Sequence, residues 1–565
     1  MVSPNINKKQ ISGLAINDNT KKLFQVIYQS QNKEEKYSGD TPKIKVSSII
    51  SKMAFYYEKI RNSVDYKEEY LLRKNAIERI LKRQIVIEGV IRVSKSDEIA
   101  KMLLIELIRA GYLPNDEIPE KKIDEIGQIM EKYIKLKNYS LARISPGAKF
   151  MSGDVISAND DLRERAGFMN WIIALAASEI EENLGLDKEK QVAVSNMYDT
   201  LSQIIKLPAD LPYDKDLEIQ IYLGIHRNYL KFDKSMLEFI VFKYYNVNWK
   251  KPKDEEIAQI AANLTALMAA IDRQMNHALA KQLNKIILKY SVFFSILSEV
   301  VENDPTGVYS NIKNDPKAFP RQIKNVCAKK YKEKKSKLWR AAVRSIIYIF
   351  LTKSIFAFIL EVPAIKWFGE EVNLTALAIN VTFPALLLFV IVFLTRVPTE
   401  DNTEKIAEGI EEIIFEGKAP QESFVLKKPI KRSGLTNLVF GLIYAFTFFL
   451  SFGTVVWALD RIGFNWVSTI IFLFFLALVS FFSIRIRKGI KELAVIEPKE
   501  NIFSFLIDFF YVPIVSVGKW LSEKFSQINL FVFILDFIIE APFKIFVEIA
   551  EDWTKYVRER KEEIV

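Results

Sequence analysis

The chain has 565 residues, half of them hydrophobic and 26% charged, with a net charge of +10. Ten Lys/Arg and one acid, Glu333, fall between Arg321 and Arg344, so this segment holds +9 and the rest is nearly neutral. The cluster precedes long apolar runs, where cations set topology and meet lipid; this excludes nucleic acid as a partner, and one cysteine with two histidines excludes a disulfide framework and a zinc centre.

Residues 1–45 are polar, rich in Asn, Lys and Ser, and read as a flexible N-terminal segment with no apolar stretch of signal-peptide type. Residues 46–140 read as a helical subdomain. Ile49, Ile50, Met53, Tyr56 and Tyr57 share one stripe, and Leu71 to Gln84 continues the pattern. Ser96-Asp97-Glu98 marks the start of a helix over Ile99–Ala110, and Gly111 its end. Ile85–Val93 leans towards strand but is short and split by Gly89. Ser145-Pro146-Gly147 has the composition of a linker.

Residues 150–320 read as a second helical domain. Ile257, Ile260, Leu264, Leu267, Ile271, Met275, Leu279, Leu283, Ile286 and Tyr290 recur at spacings of three and four. They predict one continuous amphipathic helix over 254–303, a bundle helix or a coiled coil through which the chain binds a protein or itself.

Residues 321–344 form a polybasic neck. Lys329, Lys330, Lys332, Lys334, Lys335, Lys337, Arg340 and Arg344 are its candidate contacts to anionic lipid headgroups. Cys327 lies inside it and reads as an inert thiol, against a thiolate helped by Lys329 and Lys330 or a palmitoylation site. Residues 341–490 form a four-span membrane domain, with spans near 341–361, 373–395, 435–459 and 465–484, each long enough as helix for a hydrocarbon core of about 30 Å. The neck, the 396–433 connection and the 485–499 stretch hold ten, seven and five basic residues; the 361–371 and 460–464 loops hold one each. The positive-inside rule therefore puts the N-terminal region and the C-terminus in the cytoplasm. The lack of a targeting segment and the scarcity of Cys and His point to a bacterial plasma membrane.

Residues 501–565 are apolar but interrupted by Asp508, Pro513, Asp536, Glu540, Pro542 and Lys544. They read as amphipathic helices in the cytoplasmic interface; the alternative is a polar-faced hairpin that crosses and packs on the bundle.

Lys353 sits near the middle of the first span, where a lysine costs about 2.5–3.5 kcal/mol on insertion scales. It should face a partner, and Glu361, Asp508, Asp536 and Glu540 are the candidates. Glu540 and Lys544 are one turn apart and can pair with each other. No GxxxxGK[ST], GxGxxG, GxSxG or HExxH motif occurs, so no enzyme activity, cofactor or metal is expected.

The sequence thus predicts an all-α integral membrane protein. Its expected role is that of a non-enzymatic, membrane-anchored scaffold with a cytoplasmic helical domain. The alternative is a small-solute transporter or channel that uses Lys353, Glu361 and the C-terminal carboxylates.

Overall fold

The computed structural model describes residues 16–33, 42–64, 69–87, 96–143, 158–185, 188–315, 318–415, 423–428, 433–496, 502–527 and isolated positions between 546 and 561. The chain forms two compact units, one built on Asp18–Ser291 with Glu422–Lys427, the other on Val292–Gln421 and Lys428–Leu530. Both are helical. The strand pairing among the described residues is one two-residue parallel ladder, Ile205–Lys206 with Phe424–Val425, and two isolated bridges.

The first unit contains α1 (Asp18–Lys33), α2 (Ser48–Val64), α3 (Glu69–Ile87), α4 (Ser96–Arg109), α5 (Lys121–Arg143), α6 (Ala158–Gly185), α7 (Lys188–Ile204), α8 (Asp214–Asn228), α9 (Lys234–Tyr245), α10 (Asp254–Ala262), α11 (Leu264–Met275) and the start of α12 (Ala280–Asn303). Helix starts follow local chemistry. The Asp233 carboxylate accepts from the Met236 N–H at 3.0 Å and caps α9. Glu256 accepts the Lys253 N–H at 2.7 Å before α10. One core joins α3–α6 and α8–α11, with Leu81, Leu103, Leu107, Met130, Leu175, Val241 and Phe242 among its residues. Trp249 plugs it edge-on against Phe242 and Tyr133, at 4.8 and 5.2 Å between ring centres.

Two expectations change here. Asp18–Lys33, within the segment expected to be flexible, is helical, with Leu23, Phe24 and Ile27 on one buried face. The single helix expected over 254–303 is three helices. It breaks at Asn263 and again at Asn276–Leu279, where the Asn263 and Asn276 side chains bond the Gln259 carbonyl and the Asp272 carboxylate. Such local side-chain bonds compete with the helical ladder. The apolar stripe keeps its phase through both breaks: Ile257, Leu264, Ile271, Leu279, Leu283 and Tyr290 are all buried. Six of the ten stripe positions are therefore used internally, and Ile260, Leu267, Met275 and Ile286 are half-buried.

The second unit continues α12 and adds α13 (Pro305–Asn314), α14 (Ala318–Phe356), a wide π-turn at Ala357–Glu361, α15 (Val362–Trp367), α16 (Leu374–Phe393), α17 (Glu400–Ile414), α18 (Gly434–Arg461), α19 (Trp466–Lys491) and α20 (Ile502–Gln527). Five helical stretches are long and apolar enough to cross a membrane: Ala318–Trp367, Leu374–Phe393, Gly434–Arg461, Trp466–Lys491 and Phe505–Lys524. The first four coincide with the expected spans; the fifth falls where an interfacial helix was favoured. α20 lies against α19: the Tyr511 hydroxyl bonds the Ser480 carbonyl and Ser483 Oγ, both at 3.0 Å, and Gly518 rests on the Ala477 backbone.

α17 was not anticipated. Its buried face is Ile406, Ile410, Ile413 and Ile414. Asn402 ties it down, accepting from the Val495 and Ile496 N–H groups and donating to the Leu493 carbonyl and the Tyr331 hydroxyl. The neck, the α16–α18 connection and the segment after α19 therefore gather at one end of the bundle. At the other end Asn373 donates to the Gly463 carbonyl, and Asn465 to that of Glu371.

Candidate functional site

The centre of the bundle holds a buried charged pair. Lys353 on α14 and Glu361 at the end of the π-turn are both fully inaccessible, and Lys353 Nζ lies 3.6 Å from Glu361 Oε2. Eight residues of regular helix would put these side chains about 80° apart. The π-turn changes that phase. It precedes Pro363, which has no N–H to give the Ile359 carbonyl, and wide turns of this kind recur at functional sites.

Two further helices hold the carboxylate. Asn380 on α16 donates from Nδ2 to Glu361 Oε1 at 2.5 Å and to the Ser468 carbonyl at 3.2 Å. Ser468, in the first turn of α19, donates from Oγ to Glu361 Oε1 at 3.0 Å. Asn380 sits four residues before Pro384, within a helix that already lacks one backbone donor. On the lysine side the surroundings are aromatic: Nζ is 4.0 Å from the Phe475 ring centre and 5.4 Å from that of Phe356. Nζ makes no hydrogen bond, so charge and ring quadrupoles hold it.

The cluster keeps opposite charges balanced in a medium that penalises either alone, and it locks α14, α16 and α19 in register. Asn380 was not among the expected site residues, although a polar residue within an apolar span is a signal; Ser468 and Phe475 carried none.

Of the remaining intramembrane candidates, the one described residue does not join this pair. Asp508 is exposed on α20, and Asp536, Glu540 and Lys544 lie outside the described residues. Of the eight neck cations, Lys329, Lys332, Lys335, Lys337, Arg340 and Arg344 are exposed and Lys334 is half-buried. Lys330 turns inward instead, 2.7 Å from Glu299 and 3.0 Å from Ser295 Oγ. Cys327 is a buried free thiol.

The helical unit adds features that the sequence did not reveal. An open cavity of about 590 Å³ is lined by Lys132, Glu179, Glu182, Lys243, Asn246 and Trp249, among others. Lys132 bonds the Glu179 carboxylate and the Trp249 carbonyl; burial lowers its pKa, against the pull of Glu179. Lys243 bonds both oxygens of Glu182, at 2.6 and 2.7 Å. On neighbouring helices Tyr222, Tyr244, Tyr245 and Val247 are 38, 49, 40 and 87% exposed. His226, on the Tyr222 helix, is a buried core residue whose Nδ1 donates to the Tyr222 carbonyl at 2.9 Å. Among the described residues no group of three or more His, Cys, Asp or Glu is arranged to hold a metal.

Compared with known protein families, curated proteins and solved structures, the chain matches none of them.

Proposed function

We propose that this integral membrane protein is a non-enzymatic scaffold whose helical unit holds a protein partner beside the bilayer. One observation carries the reading: Tyr222, Tyr244, Tyr245 and Val247 leave a large aromatic and apolar area exposed on the helical unit. Tyrosine supplies broad contact area with few rotatable bonds and is enriched where proteins dock. The charged cavity opens beside Val247 and offers ion pairs that can exchange partners at the rim of such a contact. The segment 254–303, expected from its sequence to be the partner helix, has six of its ten stripe positions buried and exposes less apolar surface than this face does.

The uneven Lys and Arg residues support a cytoplasmic position for the helical unit, and the gathering at one end of the bundle of the three stretches that hold most of them agrees with it. A bacterial plasma membrane remains the proposed location.

The test is photo-crosslinking in the full-length chain within its native membrane. A crosslinking residue at Tyr244 or Val247 should give a discrete protein adduct, and one at Met102, equally exposed on the same unit at 49%, should not. No adduct at any position, or equal adducts at all three, would end the scaffold reading.

A second reading, transport of a small solute or ion through the bundle, draws support from the buried Lys353–Glu361 pair alone. It requires flux in reconstituted liposomes that Lys353→Leu abolishes.

A further inference from the structure

We propose that α14 and α19 together form a binding site for an anionic phospholipid headgroup at the basic end of the bundle. The neck cations lie on one helix, and a row of cations on one helix sets topology without requiring a site. The structure adds a second wall. The stem of Lys334 crosses α19 at Gly489, where a β-carbon would stand 3.9 Å from Lys334 Cδ. This contact puts Lys334 against the last turns of α19, which carry Arg485, Lys488 and Lys491, while Lys337 and Arg340 follow Lys334 within two turns on α14. The two helices are fixed at this level by one apolar cluster, in which Leu338 and Ala342 of α14 pack with Val479 and Ile490 of α19 and with Leu388 and Val392 of α16.

On the two helices themselves the acids beside these cations are Glu333, exposed on α14, and Glu492, 3.5 Å from Lys488. α17 brings six acids to the same end, and two of them, Glu400 and Glu404, engage Lys324, a neck cation outside the proposed site, at 3.5 and 3.2 Å. The six cations of α14 and α19 thus outnumber the acids on their own two helices.

The ligand follows from what adjoins the cations. Immediately along α14, Val343 and Ile347 are 48 and 54% exposed, and Trp339 packs edge-on against Phe389 at 6.2 Å. A ligand that touches both zones needs an anionic head and apolar chains, with an aromatic residue at the boundary between them. A phospholipid with net negative charge fits; a free phosphate meets the cations only. Lys330 is not part of the site, because it is engaged by Glu299 and Ser295.

The full-length chain in detergent micelles, titrated with phosphatidylglycerol or phosphatidylcholine and weighed by native mass spectrometry, tests the site. The wild type should retain phosphatidylglycerol preferentially. Lys334→Gln with Lys337→Gln, and separately Arg485→Gln with Lys488→Gln, should each weaken retention by about fivefold per cation removed. Lys334→Arg and Arg485→Lys should bind like the wild type, which separates loss of the site from loss of the fold. Glycerol phosphate at the same concentration should not displace the lipid. Equal retention of phosphatidylcholine, an effect confined to the α14 pair, or displacement by glycerol phosphate would overturn the proposal. None of these outcomes bears on crosslinking at Tyr244, so the lipid site and the partner face stand or fall separately.

Discussion

At the scale of single residues, Lys353 and Glu361 have consequences for stability that their neighbours define. Removing one partner leaves the other charge in a fully buried place, at about 3–5 kcal/mol. Lys353→Met and Glu361→Gln should therefore each lower stability by that order, and the double variant should cost less than the two added together. Unfolding of the full-length chain in detergent measures the cycle; strict additivity would mean that the two groups do not act as a pair. His226 gives a pH dependence on the helical unit. Burial, opposed by the bond to the Tyr222 carbonyl, brings its pKa from 6.5 to about 4. Below pH 6.5 the unfolded chain takes up a proton that the folded chain refuses until about pH 4. Its contribution is intact above 6.5 and declines as pH falls towards 4, by on the order of 3 kcal/mol. Comparing wild type with His226→Gln between pH 7 and 4 should show the shallower decline in the variant, and equal slopes would contradict this. The sequence made Lys353 conspicuous, since a lysine inside apolar residues needs a partner. It could not choose among four carboxylates, because the choice depends on a π-turn that changes the helical phase and on Asn380 and Ser468 arriving from other helices.

At the scale of elements, periodicity was a reliable guide to helix and a poor guide to breaks. The stripe through 254–303 runs in phase across two interruptions because each break is short and the stripe is buried on both sides of it. Asn263 and Asn276-His277 were the local signals, and they were outweighed by ten apolar positions in register. α17 was hidden for the opposite reason. Its surroundings were read as a connection because of their charge, although Ile406, Ile410, Ile413 and Ile414 have helical spacing after Glu400-Asp401, an acidic first turn that suits the helix dipole. The contact between α19 and α20 yields a direct prediction. A β-carbon at position 518 would stand 1.9 Å from the Ala477 carbonyl oxygen, a backbone atom that cannot swing aside. Gly518→Leu should separate the helices and lower the melting temperature in detergent by several degrees. Tyr511→Phe removes only hydroxyl bonds, worth about 1 kcal/mol each, and should cost less. A Gly518→Leu protein as stable as wild type would show that α20 is not held there.

At the scale of the whole molecule, the open choice concerns where α20 runs. The sequence favours the interface, because Asp508 and Pro513 interrupt the apolar run. The structure gives 26 continuous helical residues packed against α18 and α19. At 1.5 Å per residue that is about 39 Å, more than the hydrocarbon thickness of about 30 Å. Lys519 and Glu523, paired at 3.8 Å and 62% exposed, lie near the end of the helix, where a lysine stem can reach headgroups. A crossing helix reconciles these facts better than one lying flat, which would need a polar face along its whole length. Single-cysteine reporters in a Cys327→Ser background distinguish the two. Glu371→Cys, in the acidic loop between α15 and α16, should react with a membrane-impermeant thiol reagent added to intact cells. A cysteine at position 200, on α7, should react only after lysis. With a crossing α20, Gln527→Cys labels with Glu371→Cys; with an interfacial α20, it stays protected with position 200. Labelling of position 200 from outside would reverse the sidedness of the bundle, and the basic end that gathers the neck, α17 and the end of α19 would then face out, against the rule that orients charged helices in membranes.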